Sequence, residues 1–296
     1  MENMDELNMD ESNPVGAEKK PFKSGIETLP YCVVKIEGTQ TANPQAVASG
    51  TGFFYQFETA KGNVPVIITN RHVVDGQDKL NFHFGTSDEN GDRVLGPSKP
   101  IGLETAGFPI IRHPNSDVDL ACIPARPLLE ALSKTGHKPH SLYLGEIHLP
   151  PSWLTDRLTA ATEALMIGFP NGLMDTANNL PVTRKGILAT HRFADYNGKP
   201  NFVVDIAAFG GSSGSPVFAY FYGMSPTEDG MNLGSGSVYL IGVLHSGPTL
   251  SAIGEIVPVP IPTATQVSRT NLMMHLGFCV RAELIEDMKP AVEGLL

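Results

Sequence analysis

The stretch NFVVDIAAFGGSSGSPVFAYF, residues 201–221, holds an apolar run, a loop of glycines and serines, and a second apolar run. A Gly/Ser loop alone reads as a linker. The β-rich runs on both sides argue instead for a tight turn between two strands. Such a turn can aim two backbone N–H groups, here those of Gly211 and Ser213, at one point beside a serine hydroxyl. That matters chemically because a hydroxyl is a poor nucleophile near neutral pH. It needs a base to take its proton and donors to hold the oxyanion formed on attack. Pro216 then restricts the chain where the second run begins.

The same texture extends outward in both directions. YCVVKIE, TGFFYQFE, VPVIITN, KLNFHFG, DLACIPA, ALMIGF, VYLIGVLH and GFCVRAEL are short β-rich runs separated by Gly, Pro, Asn and Asp. With 30 glycines and 24 prolines in 296 residues, this pattern predicts an all-β barrel or sandwich. No alternation with long helical patterns supports a parallel α/β sheet. Helical spacing is expected at 126–134 (RPLLEALSK), at 152–164 with Ser152 as cap, and in ELIEDMKPAVEGLL, where Pro290 interrupts it. Residues 1–24 are acidic and polar, and are expected to be a disordered tail.

Composition narrows the function classes. The chain is 41% hydrophobic and 18% charged with a net charge of −10, and has no continuous basic stretch, which argues against a nucleic-acid partner. No run approaches the roughly 18 apolar residues of a membrane span. The N-terminal sequence lacks the apolar core of a signal peptide, so a cytoplasmic location is expected. Cys32, Cys122 and Cys279 are sparse, odd in number and set in apolar runs, which predicts buried free thiols. The nine histidines are scattered without HExxH or a CxxC partner, so neither a metal nor a cofactor is expected.

Two further segments carry chemistry. VPVIITNRHVVDG, residues 64–76, places His72 at the end of a β-branched run. SDVDLACIPA, residues 116–125, places Asp117 and Asp119 ahead of an apolar run. Alone, each reads as a packing histidine or a solvated acid. Together with Ser213 they supply a base, an acid to orient it and a nucleophile, in the chain order His, Asp, Ser.

At these residues the chain resembles the chymotrypsin-like serine peptidases. TNRHVV is similar to the family's TAAHC/TNNHV motif, DVDLACI to its D-I-A-L motif and GSSGSP to G-N/D-S-G-G-P. ALMIGFPNGL, VTRKGILAT and FVVDIAAFGGSSGSP resemble stretches of bacterial HtrA-type protease domains, and YLIGVLHSG resembles the strand that binds substrate backbone. The resemblance implies two six-stranded antiparallel Greek-key barrels with a C-terminal helix. It implies one peptidase domain over residues 25–290, with barrels at about 27–125 and about 160–280. No PDZ domain is expected after the C-terminal helix, and a bacterial source is expected from the nearest motifs.

The roles implied are Ser213 as nucleophile, His72 as base and Asp119 as orienting acid, with the N–H groups of Gly211 and Ser213 as oxyanion hole. Asp117 competes for the third role; the motif favours Asp119 because Leu120-Ala121-Cys122 follow it directly. Ala207 falls at the floor of the specificity pocket, with Gly247 and Gly277 at its walls, and His245-Ser246-Gly247 replaces the usual Ser-Trp-Gly. A neutral, fairly open pocket is implied, and cleavage after an apolar or small residue of a protein or peptide substrate. Ser212 stands where trypsin-like zymogens carry the Asp that pairs with a new N-terminus, so activation by N-terminal cleavage is not expected. Two alternatives stay open: a latent protease released by an activating partner protein, and a silent peptidase-fold binding module.

Overall fold

The computed structural model describes residues 25–255 and 267–295. The acidic tail expected at 1–24 lies outside the described residues. The chain is all-β, built from antiparallel strands in two units.

The first unit is one sheet of eight strands. These are β1 (Val33–Gln40), β2 (Asn43–Thr59), β3 (Gly62–Thr69), β4 (Lys79–Ser87), β5 (Arg93–Glu104), β6 (Ile111–Arg112), β7 (Ala121–Pro124) and β8 (Pro139–His140). Their order is β5-β4-β1-β2-β3-β7-β6, with β8 paired to β4. The second unit is a closed barrel of six strands in the order β10-β11-β18-β15-β12-β9. It uses β9 (Glu163–Gly168), β10 (Val182–Leu188), β11 (Asn201–Asp205), β12 (Pro216–Phe221), β15 (Ser237–Ser246) and β18 (Leu276–Arg281). β13 (Met224–Thr227) pairs with β14 (Gly230–Leu233), and β16 (Thr249–Glu255) with β17 (Val267–Met273), as two side ribbons. The expected six-stranded barrel is thus closed in the second unit. In the first, the hydrogen-bonded path carries one extra two-residue strand, β6, and ends at β5 and β6, with the two-residue β8 lying off it on β4.

Strand alternation builds three apolar clusters. On β2, Phe53, Tyr55 and Phe57 turn into one cluster while Phe54 turns into another; on β3, Val66 and Ile68 part from Ile67 in the same way. On β9, Leu165 and Ile167 face the first of these clusters and Ala164 and Met166 the core of the second barrel. The first cluster therefore lies between the two units, joined by Ile285, Met288 and Val292 of the C-terminal segment. Each fully buried side chain of this size contributes about 1.5–3 kcal/mol. Cys32, Cys122 and Cys279 are free and buried, as expected.

Helices are short. α1 spans Arg71–Val74, α2 Arg126–Lys134, α3 Ser152–Thr155 and α4 Lys289–Glu293. α2 matches its expected span. The helix expected at 152–164 is confined to α3, since Ala161 takes a φ of 71° and β9 begins at Glu163; Pro151, not Ser152, holds the cap position. At the C-terminus a 3-10 helix, Ala282–Met288, precedes α4, and Pro290 lies in the first turn of α4. There its missing N–H costs no helical bond, so the proline starts the α-helix rather than interrupting one.

Candidate active site

His72 and Asp119 meet because of strand register. β3 ends at Thr69, and the chain passes through Asn70 into the single turn of α1, which holds His72. β7 lies antiparallel to β3 with Ala121 opposite Thr69, which brings Asp119 up to the histidine. Asp119 Oδ2 lies 2.5 Å from His72 Nδ1, and Asp119 Oδ1 accepts the His72 backbone N–H at 3.1 Å. Asn70 Nδ2 donates to the Asp119 carbonyl at 2.7 Å and fixes the acid from behind. Burial pushes the Asp119 carboxyl upward, but the hydrogen bonds and charge of His72, with a smaller contribution from His245, outweigh it and hold the group below the ordinary carboxylate range. Asp117, the competing acid, is exposed, and its N–H donates to Asn115 Oδ1 at 2.9 Å. Only Asp119 of the two touches His72.

The 207–215 loop is stapled to the first unit by Thr51, a fully buried residue of β2. The Thr51 N–H donates to the Ser213 carbonyl at 2.8 Å and its hydroxyl to the Gly211 carbonyl at 3.0 Å. Thr69 Oγ1 donates to the Thr51 carbonyl at 2.7 Å, tying this staple to the strand that leads to His72. Gly214 is locked to β15 by a 2.8 Å bond from its N–H to the Leu244 carbonyl. The N–H groups of Gly211 and Ser213 donate to no acceptor among the described residues. Gly211 has a φ of +78°, in the left-handed region that favours glycine, and a Cβ there would lie 2.6 Å from the Phe169 carbonyl oxygen.

Ser213 Oγ donates to the His245 carbonyl at 3.2 Å, and among the described residues no hydrogen bond joins it to His72. The His245 ring stacks on Phe278 with centroids 6.3 Å apart, its Nδ1 is 3.0 Å from Ser246 Oγ, and its Nε2 is buried without a partner. Burial pushes the His245 imidazole below its ordinary range, with the nearby Asp119 charge opposing the shift. An open cleft of about 570 Å³ lies beside His72 and Asp119, with Arg71, Asp117, Asn201 and His245 also on its walls.

Gly247 and Gly277, two of the positions read as the specificity pocket, both lie close to Ala208. A Cβ on Gly247 or on Gly277 would lie 3.8 or 3.7 Å from the Ala208 Cβ, and one on Gly247 would lie 2.6 Å from the Leu276 carbonyl oxygen. The Ala207 carbonyl accepts a hydrogen bond from Arg184 Nη1.

Thr51 and Arg184 are the site residues that motif reading missed. No pattern in SGTGFF marks Thr51, whose role comes from contact between distant segments. Arg184 left a signal. In β10 the less exposed positions are Val182, Arg184, Gly186 and Leu188, so a charged residue sits on the inward phase of the strand.

Among solved structures, the Rv3671c protease from M. tuberculosis in its active form is similar over 88% of this chain and 80% of that chain, at 15% identity and a TM-score of 0.41. No curated protein matches the sequence. A model of the trypsin-like peptidase domain matches residues 50–223, more than half of the chain and the span that holds His72, Asp119 and Ser213. The chain belongs to the trypsin-like peptidase family.

Proposed function

We propose that the protein is a serine endopeptidase in which Ser213, His72 and Asp119 act together. The observation that carries this reading is the two-point grip of Asp119 on His72, beside a loop that leaves the Gly211 and Ser213 N–H groups open. With Nδ1 held by Asp119, His72 presents Nε2 as the base. Nε2 takes the Ser213 proton as Oγ attacks the scissile carbonyl, and the two N–H groups hold the oxyanion. His72 then returns the proton to the leaving amine, and water releases the acyl-enzyme by the same steps in reverse. The uncharged floor position Ala207 and the glycines Gly247 and Gly277 at the wall positions support cleavage after an apolar or small residue. The β15 end at His245, Ser246 and Gly247 is the edge along which substrate backbone would lie.

A fluorophosphonate probe tests the reading. It should label the wild-type chain at one site and leave Ser213→Ala unlabelled, with peptide turnover lost in parallel. A wild-type chain that never labels and cleaves no peptide in a library, with or without cell extract, would overturn it.

A latent form of the same enzyme is favoured by one observation, the Ser213 hydrogen bond to the His245 carbonyl. Catalytic hydrogen bonds often tighten only when substrate binds. If a partner protein controls that step, labelling will be slow for the purified chain and fast once extract is added.

A further inference from the structure

We infer that Arg184 is an internal cationic clamp that holds the 207–213 loop in its oxyanion-binding shape. This inference rests on the peptidase reading above for its catalytic consequence, though not for its geometry.

Arg184 lies at the centre of β10, on the less exposed face of the strand. Its guanidinium reaches both ends of the loop. Nη1 donates to the Ala207 carbonyl, and Nη2 donates to Ser212 Oγ at 2.9 Å. Ser212 is fully buried and immediately precedes Ser213. One rigid planar group therefore spans the segment that carries both open N–H donors.

The way this charge is compensated sets it apart from its neighbours. Lys185, one residue on, points outward and pairs with Glu163 at 2.7 Å. Arg192, fully buried where Arg184 is partly so, pairs with Glu283. Arg184 has no carboxylate partner among the described residues; its Nε is buried without a partner, and its bonds go to the loop alone. A buried charge is costly unless hydrogen-bonded. If the loop left this shape, Ser212 Oγ and the Ala207 carbonyl would withdraw and strand the cation. Cation and loop are therefore coupled. Burial pushes the guanidinium down to about 10, so it remains charged around neutral pH.

The arrangement also accounts for Ser212. In trypsin-like zymogens an Asp at that position awaits an ammonium made by cleavage. Here the cation is already in the chain, on a strand of the barrel, and a neutral hydroxyl suffices to receive it. Loop shape then needs no new N-terminus. Arg184 touches no reacting atom in this role; it is a positioning residue.

Two measurements on the full chain test the clamp. The first is hydrogen exchange of a peptide covering 207–214 in wild type, Arg184→Met and Ser212→Ala. Expected is a rise of roughly tenfold or more in Arg184→Met, confined to this peptide, and a smaller local rise in Ser212→Ala. Ser212→Ala removes one contact, no charge and little volume, so it stands in if Arg184→Met does not fold. Unchanged local exchange in the folded variants overturns the proposal, whether or not the chain has activity. The second is steady-state cleavage. Arg184→Met should lose about 10²-fold in kcat with KM within about threefold, since misplaced oxyanion donors act on the transition state. A change in KM alone overturns the clamp and makes Arg184 a binding residue. A wild type that neither labels nor cleaves overturns the peptidase reading, and the exchange result still decides the clamp.

Discussion

At the scale of single residues, Asp119 and Asp117 separate what an acid near His72 does from what it does in that one geometry. Asp119 accepts from both the ring and the backbone of His72. Asp119→Asn keeps the shape but can favour the wrong imidazole tautomer, and kcat is expected to fall by roughly 10³–10⁴. Asp117→Asn should change kcat/KM by less than about threefold, because Asp117 is exposed and bonds only within its own turn. Steady-state kinetics on one peptide substrate compares them; equal losses would overturn the assignment of Asp119 over Asp117.

His140 gives a second prediction at this scale. Burial and the neighbouring Arg93 charge push its imidazole down to about 4. In the unfolded chain it takes a proton near its ordinary value of about 6.5. The unfolded state therefore binds more protons between those values, so stability is present above about pH 6.5 and is lost as pH falls toward 4. Urea unfolding at pH 7 and pH 4.5 should show a smaller acid loss for His140→Phe than for wild type. An equal loss in both would locate the acid sensitivity elsewhere.

At the scale of elements, the loop between β11 and β12 depends on a close backbone approach to β2. Gly214 has a φ of +86°, and a Cβ there would lie 1.9 Å from the Thr51 carbonyl oxygen and 2.6 Å from Thr69 Oγ1. Gly214→Ala combines left-handed strain with a backbone clash, and should cost roughly 3 kcal/mol or more. In a domain of this size that lowers Tm by about 6–12 °C. Thermal unfolding with the activity assay would show both properties falling; a neutral Tm would mean that β2 and the loop can separate freely. Strand register works at this scale too. The pairing of β3 with β7 decides which aspartate reaches His72, and a shift of one residue would turn Asp119 away.

Across the whole molecule, the C-terminal segment ties the two units together. Tyr55 Oη of β2 donates to Glu286 Oε1 at 2.5 Å, and His113 Nε2 lies 3.0 Å from the Leu284 carbonyl oxygen. Met288 and Val292 are fully buried in the cluster that lies between the units. Met288→Ala should destabilise the chain by about 2–5 kcal/mol. Because the loss falls on a shared core, both units should unfold in one transition. Two separated transitions in calorimetry would show that the units are held together more weakly than this packing implies.

By itself, the sequence determined the all-β class, the free buried thiols and the segments that bear His72, Asp119 and Ser213, because these depend on local pattern. Period-two apolar runs, turn residues and short motifs are readable within about ten residues of chain. Only the tertiary structure decided that Asp119 rather than Asp117 meets His72, and that Thr51 and Arg184 hydrogen-bond to the loop ahead of the nucleophile. Those outcomes depend on contacts between strands far apart in sequence, where a hydrogen bond or a clash is set by register and packing that no local run encodes. The stretch 201–221 foretold a turn with two open donors; what holds that turn in shape lies on β2 and β10.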